Sequence, residues 1–375
     1  MVIPKFSAIP RRSRSQQILI IGREHWDHDG YDPNARGVFR RALQCKTPAL
    51  GRRVYASENE EREFCNTCKS LVACTSCGLW ATTQWQRKRD CALPDGRYLS
   101  ITFTMPKTLW PLFAANPRLC RKLAQIAARV IGTYARVRKG AEVGVIPVLQ
   151  TFNGKLEFNP HVHTLVTAGD LRTVGTHGLS SIYFDSYELR DSWQRLVIVL
   201  LRGALQAGQL KFTKPRDEVE RLLQEEEKRT WYSTHVQADE KEHFLSYGGR
   251  YVRRPPFAEQ RILDIADGFV RFRYKDKQTH RRETVRCTVE EFIDRWARHI
   301  PGRYRHTVRY FGSFAPRRWP QVAAAVFTLL GKQQRQRPKR LPWVVGVQEL
   351  GGENPLVDSK GQPMKFVRHI APVAG

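Results

Sequence analysis

Long apolar runs are missing from this 375-residue chain. A membrane-spanning helix needs about 18 to 20 apolar residues without charges, and the compact run from Leu196 to Leu201 is short and lies between arginines. The apolar run from Ile18 to Ile21 is too short for the hydrophobic region of a secretory signal. We therefore expect a cytoplasmic protein without a membrane partner.

Acidic residues are scarce relative to basic ones. Lys and Arg number 63 against 36 Asp and Glu, which gives a formal net charge of +27 and a sequence pI near 10.2. Such a charge attracts a polyanion, so nucleic acid is the leading partner class, ahead of a ribosomal or a membrane-surface role. Hydrophobic residues at 41% favour folded cores over a basic disordered tail, and the length predicts two or three domains.

Disulfides are not expected in a reducing compartment, although the chain has eight cysteines. Two C-x-x-C pairs lie five residues apart and could direct four thiolates at one Zn²⁺. These are Cys65, Cys68, Cys74 and Cys77. We predict a closed zinc site that stabilises the fold and contacts DNA without catalysing, with a redox dithiol as the alternative. The short gap leaves other ligands open, namely Cys45, Cys91, His25 and His28.

The pattern after residue 95 predicts alternating strands and helices. Residues 98–104 are rich in aromatic and β-branched types, as expected of a strand. Asn153-Gly154 is a strong hairpin signal between the strand-like runs 144–152 and 155–167. Helices are predicted at 117–138, 186–207, 217–230, 239–250 and 289–300, the last with Thr288 as N-cap. Further strands are predicted at 232–237, 269–274 and 284–287.

A histidine pair lies on the second strand of this hairpin. Alternate residues of a strand point to one face, so His161 and His163 can offer both imidazoles to one divalent ion while Val162 packs into the core. Pairing about the turn places Gln150 opposite Glu157 on the histidine face, so either side chain could supply a third ligand. On this motif alone, two structural histidines or a zinc hydrolase site remain open.

Tyr247 and Tyr251 are four residues apart, with Gly248 and Gly249 between them. Positions i and i+4 share one face of a helix, so both phenols could reach one metal-bound phosphate. Tyrosine is a workable nucleophile once a metal stabilises the departing oxygen; packing is the alternative for such a pair. Each glycine costs about 1 kcal/mol relative to alanine in a helix, which suggests a helix that flexes or approaches DNA closely.

The order of several blocks resembles the two-tyrosine HUH rolling-circle transposases of the insertion-sequence-91 type. The resemblance rests on the cysteine region from Cys45, on Tyr98 to Pro106, on Gln150-Thr151-Phe152 with the histidine motif, on Tyr247 to Tyr251 followed by Arg253, and on Val308 to Gly312. It covers roughly residues 38–318. The chain departs from the family pattern at 56–63, where further cysteines would be usual, and at Gly248, where a larger apolar residue is usual.

The resemblance implies an α+β fold in which an HUH-endonuclease antiparallel sheet, flanked by helices, follows a small zinc-binding module. Combined with the changes of pattern along the chain, it divides the protein into four parts. These are a zinc-binding domain (1–95), a catalytic domain (96–265), a C-terminal α+β extension (266–340) and a loosely ordered tail (341–375).

The implied reaction is transesterification. Tyr247 or Tyr251 would attack single-stranded DNA at the ends of a mobile element, form a 5′-phosphotyrosine link and free a 3′-hydroxyl for transfer to target DNA. Mg²⁺ or Mn²⁺ would be held by His161, His163 and Gln150, with Glu157 as the second choice for the third ligand, and Zn²⁺ would be structural. DNA contacts are expected from Arg250, Arg253 and Arg254.

Two other function classes compete with this interpretation. A noncatalytic zinc-module DNA-binding protein would share the basic charge and the cysteines. A zinc-dependent hydrolase would use His161 and His163 but would not need the tyrosines. The three classes differ in covalent chemistry, because only the transposase forms a protein–DNA adduct.

Overall fold

The computed structural model describes residues 12–70, 73–95, 97–170, 182–232, 235–252, 255–276, 279–302, 307–331, 333, 344 and 354–372. At 235–240 and at residues 243, 247, 250–252 and 329, this description covers the backbone alone. Helices are combined with antiparallel sheets. The α+β class predicted from the sequence is therefore confirmed.

The elements are numbered along the chain. The helices of the described residues are α1 (Arg14–Ile21), α2 (Arg23–Trp26), α3 (Pro33–Leu43), α4 (Thr75–Ala92), α5 (Trp110–Ala115), α6 (Pro117–Cys120), α7 (Leu123–Lys139), α8 (Ser186–Gln206), α9 (Arg216–Lys228), α10 (Lys241–Val252), α11 (Val289–Ala297) and α12 (Trp319–Leu329). The strands are β1 (Arg52–Ala56), β2 (Glu61–Cys65), β3 (Arg97–Phe103), β4 (Gly144–Phe152), β5 (Phe158–Thr167), β6 (His235–Glu240), β7 (Ile262–Ala266), β8 (Phe269–Lys275), β9 (Arg282–Thr288), β10 (Phe311–Gly312) and β11 (Lys365–Ile370).

The central sheet has the strand order β10-β4-β5-β3-β6, and its pairings are antiparallel. Alternate residues of a strand point to opposite faces. One face carries Ile101, Phe103 and Val162 and is buried against α5, α7 and α8 in the main hydrophobic core. Val162 therefore packs into the core, as its position between the two histidines predicts.

The opposite face of the central sheet packs against α4, α10 and α12. Tyr98 of β3 and Leu165 of β5 join side chains of these helices in a separate core. The rings of Tyr98 and Phe244 of α10 have centroids 4.5 Å apart. His161 and His163 alternate in step with Leu165 along β5, so they lie on this α10-covered face.

The β4–β5 hairpin forms, but its register differs from the prediction. The turn spans 153–157, and Gln150 pairs with His161. The prediction that Gln150 lies opposite Glu157 is therefore wrong. The physical reason is Leu156, which is fully buried with the N-terminal helices and has a φ of 61°. Burying this side chain requires a wider turn than the two-residue hairpin that Asn-Gly favours.

The N-terminal helices pack against residues 255–300, far along the chain. α1 and α3 share a core with α11 and with the sheet β7-β8-β9; the ring centroids of Phe39 and Trp296, for example, are 4.8 Å apart. α11 begins as predicted, because the side chain of Thr288 accepts a hydrogen bond from the N–H of Glu291. The helices α1 and α3, which the sequence predicts to belong to the zinc-binding domain (1–95), thus share a core with residues of the predicted C-terminal extension (266–340).

A small sheet of order β11-β1-β2 links the cysteine region to residues 365–370. β11 pairs antiparallel with β1, starting from Arg52 opposite Ile370. A carboxylate oxygen of Asp358 accepts hydrogen bonds from Ser57 (2.7 Å) and Asn59 (2.9 Å). The expectation of a loosely ordered tail is therefore wrong for 365–370, which gain a partner strand from a distant part of the chain.

Candidate metal centres

Four thiols from three separate segments meet beside the start of α4. The Sγ atoms of Cys45, Cys68, Cys74 and Cys77 all lie within 4.8 Å of one another. Cys74 is 3.5 Å from Cys45, and Cys77 is 3.7 Å from both Cys45 and Cys68. A tetrahedral zinc–thiolate site with bonds of about 2.3 Å has sulfur–sulfur edges of about 3.8 Å. The cluster therefore fits Zn²⁺.

The fold places each of these thiols locally. Cys45 follows α3, and Cys68 follows β2. Cys74 is the N-cap residue of α4, and Cys77 lies in the first turn of that helix. The N–H of Cys68 lies 3.5 Å from the Sγ of Cys45, so the two earlier segments are in direct contact at the cluster.

The structure corrects the predicted zinc ligands at one position. Cys65 is the last residue of β2 and pairs with Arg52 of β1, so the sheet holds it outside the cluster, and Cys45 takes its place. Of the other reserve ligands, Cys91 lies at the far end of α4, and His25 bonds to a carboxylate of α11.

Hydrogen bonds among the four thiols shift their pKa values in opposite directions. Those from Cys45, Cys68 and Cys74 lower the pKa of Cys77, whereas those with Cys45, Cys68 and Cys77 raise the pKa of Cys74. A zinc site uses thiolates, so binding Zn²⁺ would release the thiol protons. Metal–sulfur bonds would then replace these hydrogen bonds in holding α3, β2 and α4 together.

The histidine pair forms a second candidate centre. His161 and His163 are each 6% exposed, and their ring centroids are 4.8 Å apart. The Nδ1 of His161 lies 2.7 Å from the backbone oxygen of Asn159, and the Nδ1 of His163 lies 3.1 Å from the Oγ1 of Thr102. A hydrogen bond at Nδ1 is the usual way in which a protein orients an imidazole that binds metal through Nε2.

Gln150 completes this group of side chains. Its Oε1 lies 2.9 Å from the Nε2 of His163, and its backbone pairs with His161. Glu157, the second choice for a third ligand, is exposed in the turn and accepts a hydrogen bond from Asn153 (2.8 Å). The amide oxygen of Gln150 therefore lies beside the histidine pair, whereas the carboxylate of Glu157 is engaged in the turn.

α10 packs closely on the histidine-bearing face. A Cβ added at Gly248 would lie 2.5 Å from the Cδ1 of Leu165, and Leu165 is two residues along β5 from His163. Gly248 is thus a point at which the helix approaches the strand closely. A bulkier residue there would push α10 away from the sheet.

The tyrosines predicted as nucleophiles both lie within α10. The side chains of both tyrosines and of Arg250 lie outside the part of the chain that the structure describes. The predicted DNA contacts Arg253 and Arg254 lie outside it altogether.

α4 connects the thiol cluster to α10, a link that the sequence patterns did not predict. The Nε2 of Gln86 on α4 donates a 3.1 Å hydrogen bond to the backbone oxygen of Leu245 on α10. A Cβ added at Gly249 would lie 2.4 Å from that same nitrogen. The glycine pair of α10 therefore marks tight packing against β5 and α4.

Two family models match the parts of the chain that contain these candidate centres. A family model described as a transposase zinc-binding domain matches residues 21–105, which include the thiol cluster. A model described as a putative transposase matches 144–321, which include the histidine pair and α10. The transposase for insertion sequence element IS801 of Pseudomonas savastanoi pv. phaseolicola is 32% identical over 329 residues, covering 83% of this chain and 79% of that protein. The chain belongs to the insertion-sequence-91-type transposases.

A second relative of this transposase is similar over the same extent. The putative transposase y4qJ of Sinorhizobium fredii (strain NBRC 101917 / NGR234) is 29% identical over 321 residues, covering 81% of this chain and 80% of that protein. No solved structure matches the chain. Among the described residues, no helix has the length and apolar character needed to cross a bilayer. Family membership implies DNA as the partner and structural Zn²⁺ in the N-terminal region.

Proposed function

We propose that this transposase nicks and rejoins single-stranded DNA by a metal-dependent transesterification that uses a tyrosine of α10, in rolling-circle transposition of an insertion sequence. One observation carries the proposal: α10, which contains Tyr247 and Tyr251, packs on the sheet face that bears His161 and His163. A metal site and a helix with candidate nucleophiles thus share one face, as a two-component active site requires.

Mg²⁺ or Mn²⁺ would be held by His161, His163 and Gln150. When bound, the ion would stabilise negative charge on the phosphate and on the departing oxygen. The Nδ1 hydrogen bonds to Asn159 and Thr102 keep the two imidazoles oriented, so little reorganisation would be needed on binding. Thr102 acts here as a positioning residue.

The proposed step exchanges one phosphodiester for another. The phenolic oxygen of Tyr247 or Tyr251 attacks the phosphorus and loses its proton to solvent. A tyrosine–phosphorus bond forms, the bond from phosphorus to the 3′-oxygen breaks, and that oxygen takes a proton to become a 3′-hydroxyl. Rejoining is the reverse step with another 3′-hydroxyl, so no external energy source is required. Two tyrosines permit two linked transfers, on single-stranded ends of the element and on target DNA.

We assign structural Zn²⁺ to Cys45, Cys68, Cys74 and Cys77. We assign the catalytic domain to residues 96–265, between the zinc-binding domain and the C-terminal extension. A closed four-thiolate site has no open position for substrate, so this centre would act through stability. Zinc would stabilise the start of α4, and α4 in turn contacts α10 through the hydrogen bond from Gln86 to the backbone of Leu245.

The proposal is tested with an end-labelled single strand from the terminus of the mobile element and Mn²⁺. We expect a denaturation-resistant protein–DNA adduct that the double variant Tyr247→Phe/Tyr251→Phe does not form. Cleavage that persists in this variant would identify a hydrolase, and DNA binding without cleavage under Mg²⁺ or Mn²⁺ would identify a noncatalytic DNA-binding protein.

The third ligand is tested by Mn²⁺ titration of the same reaction. Gln150→Ala should raise the Mn²⁺ concentration needed for half-maximal cleavage by about 10- to 100-fold. Glu157→Ala is the matched control and should leave it unchanged. If Glu157→Ala raised the Mn²⁺ requirement and Gln150→Ala did not, Glu157 would be the third ligand.

A further inference from the structure

One face of the β7-β8-β9 sheet is strongly basic. It is defined here as the basic face and consists of Arg271, Arg273 and Lys275 of β8 with Arg282 and Arg286 of β9. All five side chains are exposed. The intervening residues of β8, Phe272 and Tyr274 among them, point to the other side and are buried. The ribbon is thus apolar inside and cationic outside.

The strand register sets like charges opposite each other. Arg271 pairs with Arg286, and Lys275 pairs with Arg282. Like charges directly across an antiparallel pair are destabilising, whereas opposite charges there stabilise a sheet. The Lys275–Arg282 pair therefore costs folding stability that a bound polyanion would offset, whereas Asp264 already offsets part of the repulsion between Arg271 and Arg286.

The basic face keeps most of its charge in the folded protein. Asp264 is opposite Arg271 and forms an ion pair with it. The guanidinium of Arg286 lies 3.5 Å from the ring centroid of Phe269, which leaves it cationic. Within the part of the chain that the structure describes, Arg273, Lys275 and Arg282 form no ion pair.

The same ribbon is joined to the hairpin that carries the histidine centre. On its buried side, the ring of Tyr274 would lie 3.0 Å from a Cβ at Gly154, in the β4–β5 turn. The ammonium of Lys155 lies 5.2 Å from the centroid of that ring. Arg261, just before β7, also donates to the backbone oxygen of Gly154. The ribbon that carries the basic face is therefore fixed, through its opposite side, to the hairpin that carries the histidine pair.

We propose that the basic face binds the phosphate backbone of duplex DNA next to the single strand that is cut. Alternate residues along a strand are about 6.8 Å apart and neighbouring strands about 4.8 Å apart, so the cations are regularly spaced. Duplex DNA offers about one negative charge per 1.7 Å of axis. Proteins that hold single strands use exposed aromatic platforms, but the ring of Phe269 lies under Arg286. This surface is independent of the tyrosine chemistry.

The test neutralises three cations of the basic face with Arg273→Gln, Lys275→Gln and Arg282→Gln in the full chain. Affinity for a duplex of unrelated sequence should fall, and the slope of log Kd against log salt should fall by about 2.7, at 0.9 per lost phosphate contact. Because like-charge repulsion is removed, the thermal midpoint should stay the same or rise. A lower midpoint would assign these residues a structural role instead.

A matched triple variant controls for overall charge. Arg118→Gln, Lys122→Gln and Arg129→Gln remove the same charge from exposed positions on and around α6 and α7. The duplex slope of this variant should change much less. An equal change in both variants, or a larger loss for a single strand than for the duplex, would overturn the proposal. Adduct formation on an intact single strand that carries the element terminus is measured in parallel, so that failure of the tyrosine mechanism is seen separately.

Discussion

The thiol cluster and the histidine centre use equally short sequence motifs, yet the chain assembles them differently. The two histidines lie on one strand, and the neighbouring strand supplies Gln150. The thiols come from the end of α3, the loop after β2 and the start of α4. Alternation along a strand is a local property that sequence encodes directly. The meeting of Cys45 with Cys68 depends on how distant segments pair.

The error at Cys65 has a definite physical cause. The N–H of Lys46 donates to the oxygen of Asn66 (3.0 Å), and the N–H of Asn66 donates to the oxygen of Gly51 (3.0 Å). These bonds continue the β1–β2 pairing and bring Cys45 beside the residues that follow Cys65. C-x-x-C spacing shows which cysteines are close in sequence. It does not show that pairing with a neighbouring strand keeps one of the two cysteines out of the cluster.

The largest difference between the two centres should appear on removing one ligand from each. His161→Ala should lower DNA cleavage by at least about a hundredfold, because the catalytic ion would lose an imidazole. Zinc content, thermal midpoint and salt-dependent DNA binding should be retained, since affinity rests on phosphate contacts. His369→Ala, at an exposed position, is the control. Equal loss of cleavage and thermal midpoint would make His161 a structural residue.

Cys45→Ser should show the reverse pattern. The variant should lose bound zinc and unfold at a lower temperature, because zinc binding contributes about 10 to 16 kcal/mol in small zinc-finger peptides. Zinc content by atomic emission and thermal unfolding are the measurements. Cys65→Ser is the matched control and should keep its zinc. If Cys65→Ser lost the metal and Cys45→Ser kept it, the cluster described here would be wrong.

His299 is a buried histidine whose two ring nitrogens both have hydrogen-bond partners within the protein. Burial lowers its pKa from 6.5 to about 4, and it bonds to the oxygen of Leu156 and to Thr151. The unfolded chain takes up this proton first, so stability is full above pH 6.5 and is lost as the pH falls towards 4. The loss should reach about 3 kcal/mol.

Urea unfolding at neutral and acidic pH measures this effect. His299→Gln should weaken the acid dependence of the unfolding free energy, whereas His369→Gln at an exposed site should not. An unchanged acid dependence in His299→Gln would show that other groups cause the acid destabilisation.

The smallest predicted effect concerns the link between the centres. Gly249→Ala should place a Cβ against Gln86 and displace α10, at a cost in folding free energy of about 1 to 3 kcal/mol. We expect slower cleavage and an unchanged zinc content. Adding Gln86→Ala removes the clashing atoms and should restore part of the rate. Gly132→Ala in α7, where nothing lies within 4 Å, should stabilise the protein by up to about 1 kcal/mol. A double variant slower than Gly249→Ala would refute the packing argument.

Sequence predicted the elements whose signals are local. β5, the N-cap of α11 and the shared face of the two histidines follow from alternation and capping, which involve neighbouring residues. β11 was missed because its partner strand β1 lies about 300 residues away in sequence. α4 was missed because Gly78, Thr82 and Thr83 are weak helix formers. Its contacts with α10, including that of Gln86, are tertiary and leave no local pattern.

The central claim is that the histidine centre and a tyrosine of α10 act on the same phosphate. Peptide mapping by mass spectrometry of the adduct formed with Mn²⁺ tests it most directly. We expect one 5′-phosphotyrosine link, at Tyr247 or Tyr251, and no adduct in His161→Ala. A link on a residue outside α10, or cleavage of the strand without a covalent adduct, would contradict it.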